Sequence, residues 1–416
     1  MNYEEFKNCI IAECEKLGVK EYELYYSRSE STEIGVFAHE VNEFSSSEAG
    51  GLCFRCISNG KMGYASTEML DEENARAVVL KALDNASVLE SEDEVFLAEG
   101  GQKYETHEDR SYPLPDTDEL ISTALAAQEK IYAADEKVID GTQTQVLKES
   151  GEVAIYNSKG LDLHQSTSAS GLLMAAVVSD GKEMSDSYEF KLGELGKIDA
   201  DALAAKCTKE AIEKLGGDVA PTGQYPVVFN PDAMSALLQT YFGVFSSENA
   251  QKGLSRMKGQ EGNVVAADCV TIVDDPFHPE NPEPRIFDAE GCPTMKKNII
   301  ENGKLLTLLY NMKTAAVDGR KTTGNAAKSG YSSPVNIMPF TMYLKGGDVT
   351  EDELLSEVGN GVYIKALGGL HAGANPVSGD FSLQSSGFMI EDGKKTRFVK
   401  SFTVAGNFYD VLKNIR

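Results

Sequence analysis

The sequence predicts an α+β protein: an N-terminal domain of two repeated helix/antiparallel-sheet units, then a β-rich C-terminal domain with a few helices. Three observations predict it. In the first half, apolar residues at helical spacing alternate with aromatic and β-branched runs. The same order of elements then returns at a nearly constant offset. Beyond Gly216-Gly217, strand-like runs and Asn-Gly or Asp-Gly turns dominate. At about 150 residues per domain, a chain of 416 residues holds two or three domains. We place them at 1–218 and 219–416, with the repeat within 1–90 and 116–216.

Phe6, Ile10, Cys14 and Leu17 recur at three and four residues, Asn2 and Glu5 are spaced as a capping box, and Gly18 is a stop, so the chain opens with a helix. Residues 22–27 and 33–38 read as strands. The run 52–57 meets Asn59-Gly60, the pair a two-residue type I′ hairpin demands because both positions take positive φ. A helix over 71–85 closes the unit. Its pattern returns: Ile34/Val153, Val36/Ile155, Phe37/Tyr156 and Phe44/Leu163 are 119 residues apart, SSSEAGGL matches STSASGLL at 120, and Asn59-Gly60 matches Asp180-Gly181 at 121. Helices over 118–134 and 199–215 bracket the second copy, so the predicted unit is α-β-β-β-β-α. Between the copies, GGQKYETHEDRSYPLPDTDE is polar and contains prolines, a linker by composition.

In the second half, residues 225–229 form a predicted strand. Asn230 followed by Pro231 starts a helix, since Asn accepts from orphan amides and Pro needs no donor in the first turn. That helix carries Met234, Leu237, Leu238, Tyr241 and Phe242 and fails near Ser246. Strands follow over 269–273, in a 299–310 hairpin turning at Asn302-Gly303, over 335–344 and 362–367, and in a 381–404 hairpin turning at Asp392-Gly393. Thr350 and Glu353 box the start of a helix over 350–358. The expected architecture is a curled sheet or barrel-like sandwich.

Composition excludes several function classes. With 39 Lys+Arg against 65 Asp+Glu, the net charge is −26, which repels phosphate backbones unless a local basic stripe exists. The basic clusters Lys296-Lys297, Lys394-Lys395 and the loop from Arg320 to Lys328 are interrupted and read as solvated surface. No nucleic acid partner is expected. No apolar run approaches the ~20 residues of a membrane helix, and MNYEEFKNCI is acidic without a secretory apolar region, so no membrane association and a cytoplasmic location are expected. Seven scattered cysteines are no disulfide framework and are expected as free thiols, about half of them buried.

The residues spell out no active site by themselves. The five histidines, His39, His107, His164, His278 and His371, include no pair within ten residues. His39-Glu40 starts like His-Glu-x-x-His, but position 43 is Glu in a strand-like segment, and one His and one Glu leave a catalytic zinc a ligand short. Cys53 and Cys56 form the sole CxxC; three apart on a strand, they point to opposite faces and read as buried thiols. Asp274-Asp275 and Asp71-Glu72-Glu73 read as surface or capping carboxylates. There is no Walker A stretch and no strand-then-helix Gly-x-Gly-x-x-Gly. GGLHAGANPVSGDF, with His371, Asn375, Gly379 and Asp380, is a shaped loop that could bring backbone amides to a ligand.

Over roughly residues 224–415, QYPVVFNPDAMSALL, VTIVDDP, FDAEGCPTMKKNIIENGKLLTLLYNMKTA, KTTGNA and NPVSGDFSLQSSGFMIEDGKKTRFVKSFTVAGNFYDVLKNI occur in the order expected of one family. They resemble the TldD/PmbA family, the proteins called modulators of DNA gyrase and TldD/TldE-type metalloproteases; the N-terminal half is similar in layout. The resemblance implies a division of labour. TldD-like members carry a His-Glu-x-x-x-His helix after a Leu-Leu step and a cysteine near the C-terminus that completes a zinc site. Here Leu237-Leu238 is followed by Gln239 and Thr240, so the histidine positions fall on Gln239 and Val244 and the glutamate position on Thr240. Gln is a poor zinc ligand, Val is none, and Thr cannot act as the carboxylate base. The sequence given ends at Arg416, just after the AGN-containing strand that precedes the cysteine ligand in catalytic members.

The chain therefore resembles the PmbA/TldE branch. That branch implies a partner without chemistry of its own, paired with a TldD-like catalytic subunit that holds the zinc. The pair acts on peptides or small unfolded proteins, and the loop around Asn375–Asp380, or its flanking strands, is the expected place for an extended peptide to add. The alternative is a homodimeric peptide-binding or scaffold protein that uses no catalytic partner.

Overall fold

The computed structural model describes residues 1–90, 94–106 and 111–416. Its first half runs α1 (Tyr3–Leu17), β1 (Glu21–Phe37), β2 (Glu40–Ser58), β3 (Lys61–Thr67), α2 (Glu72–Val88), α3 (Thr117–Ala134), β4 (Gln143–Asn157), β5 (Asp162–Ser179), β6 (Met184–Gly193) and α4 (Ala200–Glu213). The six strands form one antiparallel sheet ordered β3-β2-β1-β4-β5-β6, so two helix-flanked, three-stranded halves meet along the β1–β4 ladder.

Local chemistry accounts for the ends of these elements. Asn2 and Glu5 form the expected capping box and Gly18 closes α1 at φ 72°; Asp71, Asp116 and Asp199 cap α2, α3 and α4. Asn59 and Gly60 take φ 51° and 75°, the signs a type I′ turn requires.

Each half holds three strands rather than the expected four. Residues 22–27 and 33–37 belong to the two ends of β1, and the polar RSEST between them stays extended because β2 and β4 pair with it on both sides. Ladder hydrogen bonds here outweigh the weak strand propensity of Ser and Glu. The offset is also not constant: the caps Asn2 and Asp116 stand 114 residues apart, Asp71 and Asp199 stand 128 apart. Ala38 and His39, read as strand, form the β1–β2 turn at φ 50° and 64°. His39 stacks on Tyr132 at 4.4 Å and shares no strand face with Glu43.

The second half contains β7 (Asp218–Val219), β8 (Val227–Phe229), α5 (Pro231–Tyr241), α6 (Ser247–Gln251), β9 (Ile272–Asp274), β10 (Lys297–Glu301), β11 (Lys304–Leu305), α7 (Met312–Val317), β12 (Ala326–Ala327), β13 (Asn336–Ile337), β14 (Met342–Leu344), α8 (Glu351–Val358), β15 (Gly361–Gly368), α9 (Leu370–Gly373), β16 (Asp380–Glu391), β17 (Lys394–Asn407) and α10 (Phe408–Asn414). No barrel closes. An open five-stranded sheet, β7-β17-β16-β15-β8, and a four-stranded one, β11-β10-β9-β14, share a core that α5 and α10 fill with Leu237, Leu238, Tyr241, Phe408 and Leu412.

The N-terminal sheet uses both faces. Tyr22, Leu24, Phe54 and Cys56 pack under α1 and α2, and Val146, Leu172 and Met174 under α3 and α4. On the opposite face Tyr25, Cys53 and Ile155 meet Phe287 and Cys292 of the second half. Cys53 and Cys56 thus point to opposite faces; all seven cysteines are free thiols and five are buried, more than the half expected. The polar stretch between the copies is anchored: Leu97 and Ala98 just before it are buried, and Tyr112 within it pairs with Ser168 of β5.

Candidate functional site

α5 starts where Asn230 Oδ1 accepts from Ala233 N at 2.7 Å with Pro231 in the first turn. Leu237, Leu238 and Tyr241 form its buried stripe. Gln239 lies on the opposite, exposed side, and Thr240 donates its hydroxyl to Ala236 O at 2.8 Å. After Tyr241 the backbone tightens into a 3₁₀ turn over Phe242–Phe245, which swings Val244 into the core at 1% exposure. Ser246 then caps α6.

The glycine-rich segment lies against the end of this helix. It contains a short helix, α9, with His371 exposed. Asn375 Oδ1 accepts from the amides of Val377 and Ser378 at 3.0 and 3.1 Å, and Asn375 N donates to Asp380 O at 2.8 Å, so the loop is held by its own polar groups. Gly379 sits at φ 82°, and a Cβ there would lie 2.5 Å from the Tyr409 ring, so only glycine fits. The Asp380 carboxylate accepts from Asn407 Nδ2 at 2.8 Å; hydrogen bonds from Asn407 and Ser378 hold its pKa below the usual value.

Of the residues singled out in the sequence, the fold gathers Asn375, Gly379 and Asp380 into one turn. It joins that turn to α5 through Tyr241, not through Gln239, Thr240 or Val244: the Tyr241 hydroxyl donates to Asp380 O at 2.8 Å and its ring stacks on Phe408 at 4.6 Å. His107 lies outside the described residues. Of the two strands flanking the loop, β16 is interior to the sheet and cannot accept another strand, whereas β15 is paired by β8 only over Val362–Ile364 and leaves its far edge open at Ala366–Gly368. The sequence reading missed Tyr241, Asn407 and Tyr409 as supports of the loop; a tyrosine on the last turn of an otherwise aliphatic stripe was the available signal.

The donor set at positions 239, 240 and 244 does not fit a zinc ion. One side chain is an exposed amide, one a hydroxyl committed to the backbone, one a buried isopropyl group. Among the described residues no group of three or more His, Cys, Asp or Glu side chains is arranged to hold a metal.

Two expectations about surface charge fail. Asp274 is fully buried, paired with Lys297 at 2.9 Å and bonded by Asn325 and the Phe340 amide. Lys328, from the loop read as solvated, is half-buried over the Tyr25 ring at 4.5 Å. Charges scattered along a sequence converge when strands from distant segments pack.

Residues 22–86, 111–215 and 222–416 match, in turn, the family models described as PmbA/TldA metallopeptidase domain 1, central domain and C-terminal domain. A Methanothermobacter thermautotrophicus protein named Metalloprotease is 28% identical over 388 residues, covering 90% of this chain and 83% of its own. A solved structure from Thermotoga maritima described as a modulator of a DNA gyrase superposes with TM-score 0.90 at 30% identity, over 100% of this chain and 94% of that one. TldE from Thermococcus kodakarensis superposes with TM-score 0.88 at 24% identity, over 98% and 92%, a likeness of fold. The fold is thus that of the metallopeptidase-like proteins with this three-part organisation. The chain belongs to the PmbA/TldD family.

Proposed function

We propose that this chain is the PmbA/TldE-like, non-catalytic subunit of a TldD/TldE-type zinc metalloprotease that acts on peptides or small unfolded proteins in the cytoplasm. The observation that carries the reading is the state of the three ligand positions: Gln239 exposed, Thr240 bonded to its own helix, Val244 in the core. A hydrolytic zinc site needs three protein ligands, a position for water and a base beside it, and none of these can be assembled from such side chains. Zinc belongs, on this reading, to a TldD-like partner. No helix among the described residues is long and apolar enough to cross a membrane, which fits a subunit that meets its substrate in water.

Two features suit an architectural role. β2 has β1 on one side throughout, but β3 joins it only from Leu52, so the edge from Glu40 to Gly50 is open for pairing with a partner. The open end of β15 lies beside the Asn375–Asp380 turn, where an extended peptide could add as a strand.

Reconstitution tests the proposal: cleavage of an unstructured protein is assayed with this chain alone, with a TldD-like protein from the same genome alone, and with the mixture. Activity only in the mixture, retained when Gln239 and Thr240 are replaced by Ala, is the expected result. Metal-dependent cleavage by this chain alone would overturn it. A stable homodimer that fails to associate with the TldD-like protein would favour the scaffold reading.

A further inference from the structure

A row of polar side chains crosses the N-terminal sheet on the face turned toward the second half. Asn157 of β4, Glu23 of β1, Arg55 of β2 and Tyr64 of β3 are register neighbours in successive ladders. Glu23 is 1% exposed and Arg55 7%. The Arg55 Nε and Nη2 atoms converge on one oxygen, Glu23 Oε1, at 2.8 and 2.6 Å. Nη2 is near that oxygen but out of hydrogen-bond alignment, and among the described residues no well-aligned acceptor meets it, although the Tyr64 side chain lies close by. A buried donor without an aligned acceptor costs about 1–3 kcal/mol, which an acceptor entering from the cavity would offset.

Above this row lies a cavity of about 580 Å³ between the two halves, within the size range of small-molecule sites. Lys328 enters from the second half, stacked over Tyr25, and among the described residues it has no carboxylate within ion-pair distance. Burial, helped by the nearby Arg55 charge, pushes its pKa down. Among the described residues the lining carries the cations Arg55, Lys61, Lys313 and Lys328 and the carboxylates Glu23, Glu94 and Glu290. Lys328, a partly buried cation of this wall with no carboxylate at ion-pair distance among the described residues, suits a monoanion better than a phosphate dianion. The rest of the wall is apolar, with Met62, Phe96 and Val335.

We propose that this interdomain cavity binds a small apolar carboxylate, the carboxylate received by Arg55 Nη2 and Lys328 Nζ and the apolar part by Met62, Phe96 and Val335. A free carboxylic acid and the C-terminal residue of a peptide share this chemistry. The proposal stands independently of the protease-subunit reading, since it uses none of the residues of α5 or of the Asn375–Asp380 turn.

Calorimetric titration of the full chain with N-acetyl-leucine, N-acetyl-leucinamide, inorganic phosphate, and a leucine-terminated tripeptide with a free or an amidated C-terminus tests it. N-acetyl-leucine or the free-acid tripeptide should bind saturably, at least tenfold more tightly than its amide, and Lys328→Met should weaken that binding at least tenfold. Binding of the tripeptide acid identifies a peptide C-terminus as the source, and binding of N-acetyl-leucine alone a free acid. Hydrogen exchange on the unmodified protein supplies a readout independent of the variant's folding: the acid, not the amide, should protect β3 and residues 332–335. Equal affinity for acid and amide, binding of phosphate alone, no binding at millimolar concentration, or undiminished binding by Lys328→Met would overturn the proposal.

Discussion

Glu23 and Arg55 face one another across the β1–β2 ladder, 2.6 Å apart at their closest, with almost no access to water. Burial works against both charges. It pushes the Glu23 pKa up, and it opposes the Arg55 charge, which Glu23 and Glu290 nevertheless hold above its ordinary value. Each charge is therefore tolerated because the other is there.

Removing one partner should accordingly cost far more than removing both. Glu23→Gln leaves a buried guanidinium without its counter-ion and is expected to destabilise the N-terminal sheet by about 3–5 kcal/mol. The double variant Glu23→Leu with Arg55→Met should recover most of that loss, read as a non-additive cycle in chemical denaturation. Additive losses would mean that the two charges are stabilised separately.

At the loop, Tyr241→Phe removes one hydroxyl bond to Asp380 O while keeping the ring stacked on Phe408. A loss of about 0.5–1.5 kcal/mol is expected, with faster amide exchange over residues 375–380. Gly379→Ala should be worse, because strain at positive φ adds to a clash with the Tyr409 ring.

Dialysed protein should hold no stoichiometric zinc on the segment from Gln239 to Val244, as elemental analysis can establish. Val244→His, which restores one ligand type, should destabilise the fold by about 2 kcal/mol or more, since it places an imidazole in a core position without a polar partner.

The Asp288–Glu290 pair carries a pH dependence. Burial and the neighbouring Glu290 push Asp288 up to about 8, against three backbone amides, of Glu290, Cys292 and Ala326, that favour its charge. Its folded pKa lies above the unfolded value of about 3.9. The stability it contributes is therefore complete below pH ~4 and is lost as pH rises through about 8. Glu290→Gln lowers that shift while its amide oxygen can still accept from Met312 N, so the variant's unfolding midpoint should gain on wild type between about pH 6 and 9. A constant difference over that range would remove the carboxylate pair as the cause.

The sequence by itself determined what a few neighbouring residues can decide. Asn2/Glu5 and Thr350/Glu353 form their capping boxes, and Asn59-Gly60, Asn302-Gly303 and Asp392-Gly393 make their turns, because a cap is a bond over three residues and a turn is two backbone dihedrals. The side chains at 239, 240 and 244 were likewise legible as chemistry: no fold turns valine into a zinc ligand. Only the tertiary structure decided that residues 22–27 and 33–37 are one strand, since the polar stretch between them is held by partners on both sides. It alone decided that Asp274 and Lys297 are interior, that Tyr241 rather than Gln239 meets the Asp380 turn, and that Glu23, Arg55 and Lys328 share a cavity. Burial and charge pairing depend on which distant strands pack together, and for Glu23 and Lys328 that means segments from opposite halves of the chain, beyond the reach of any local pattern.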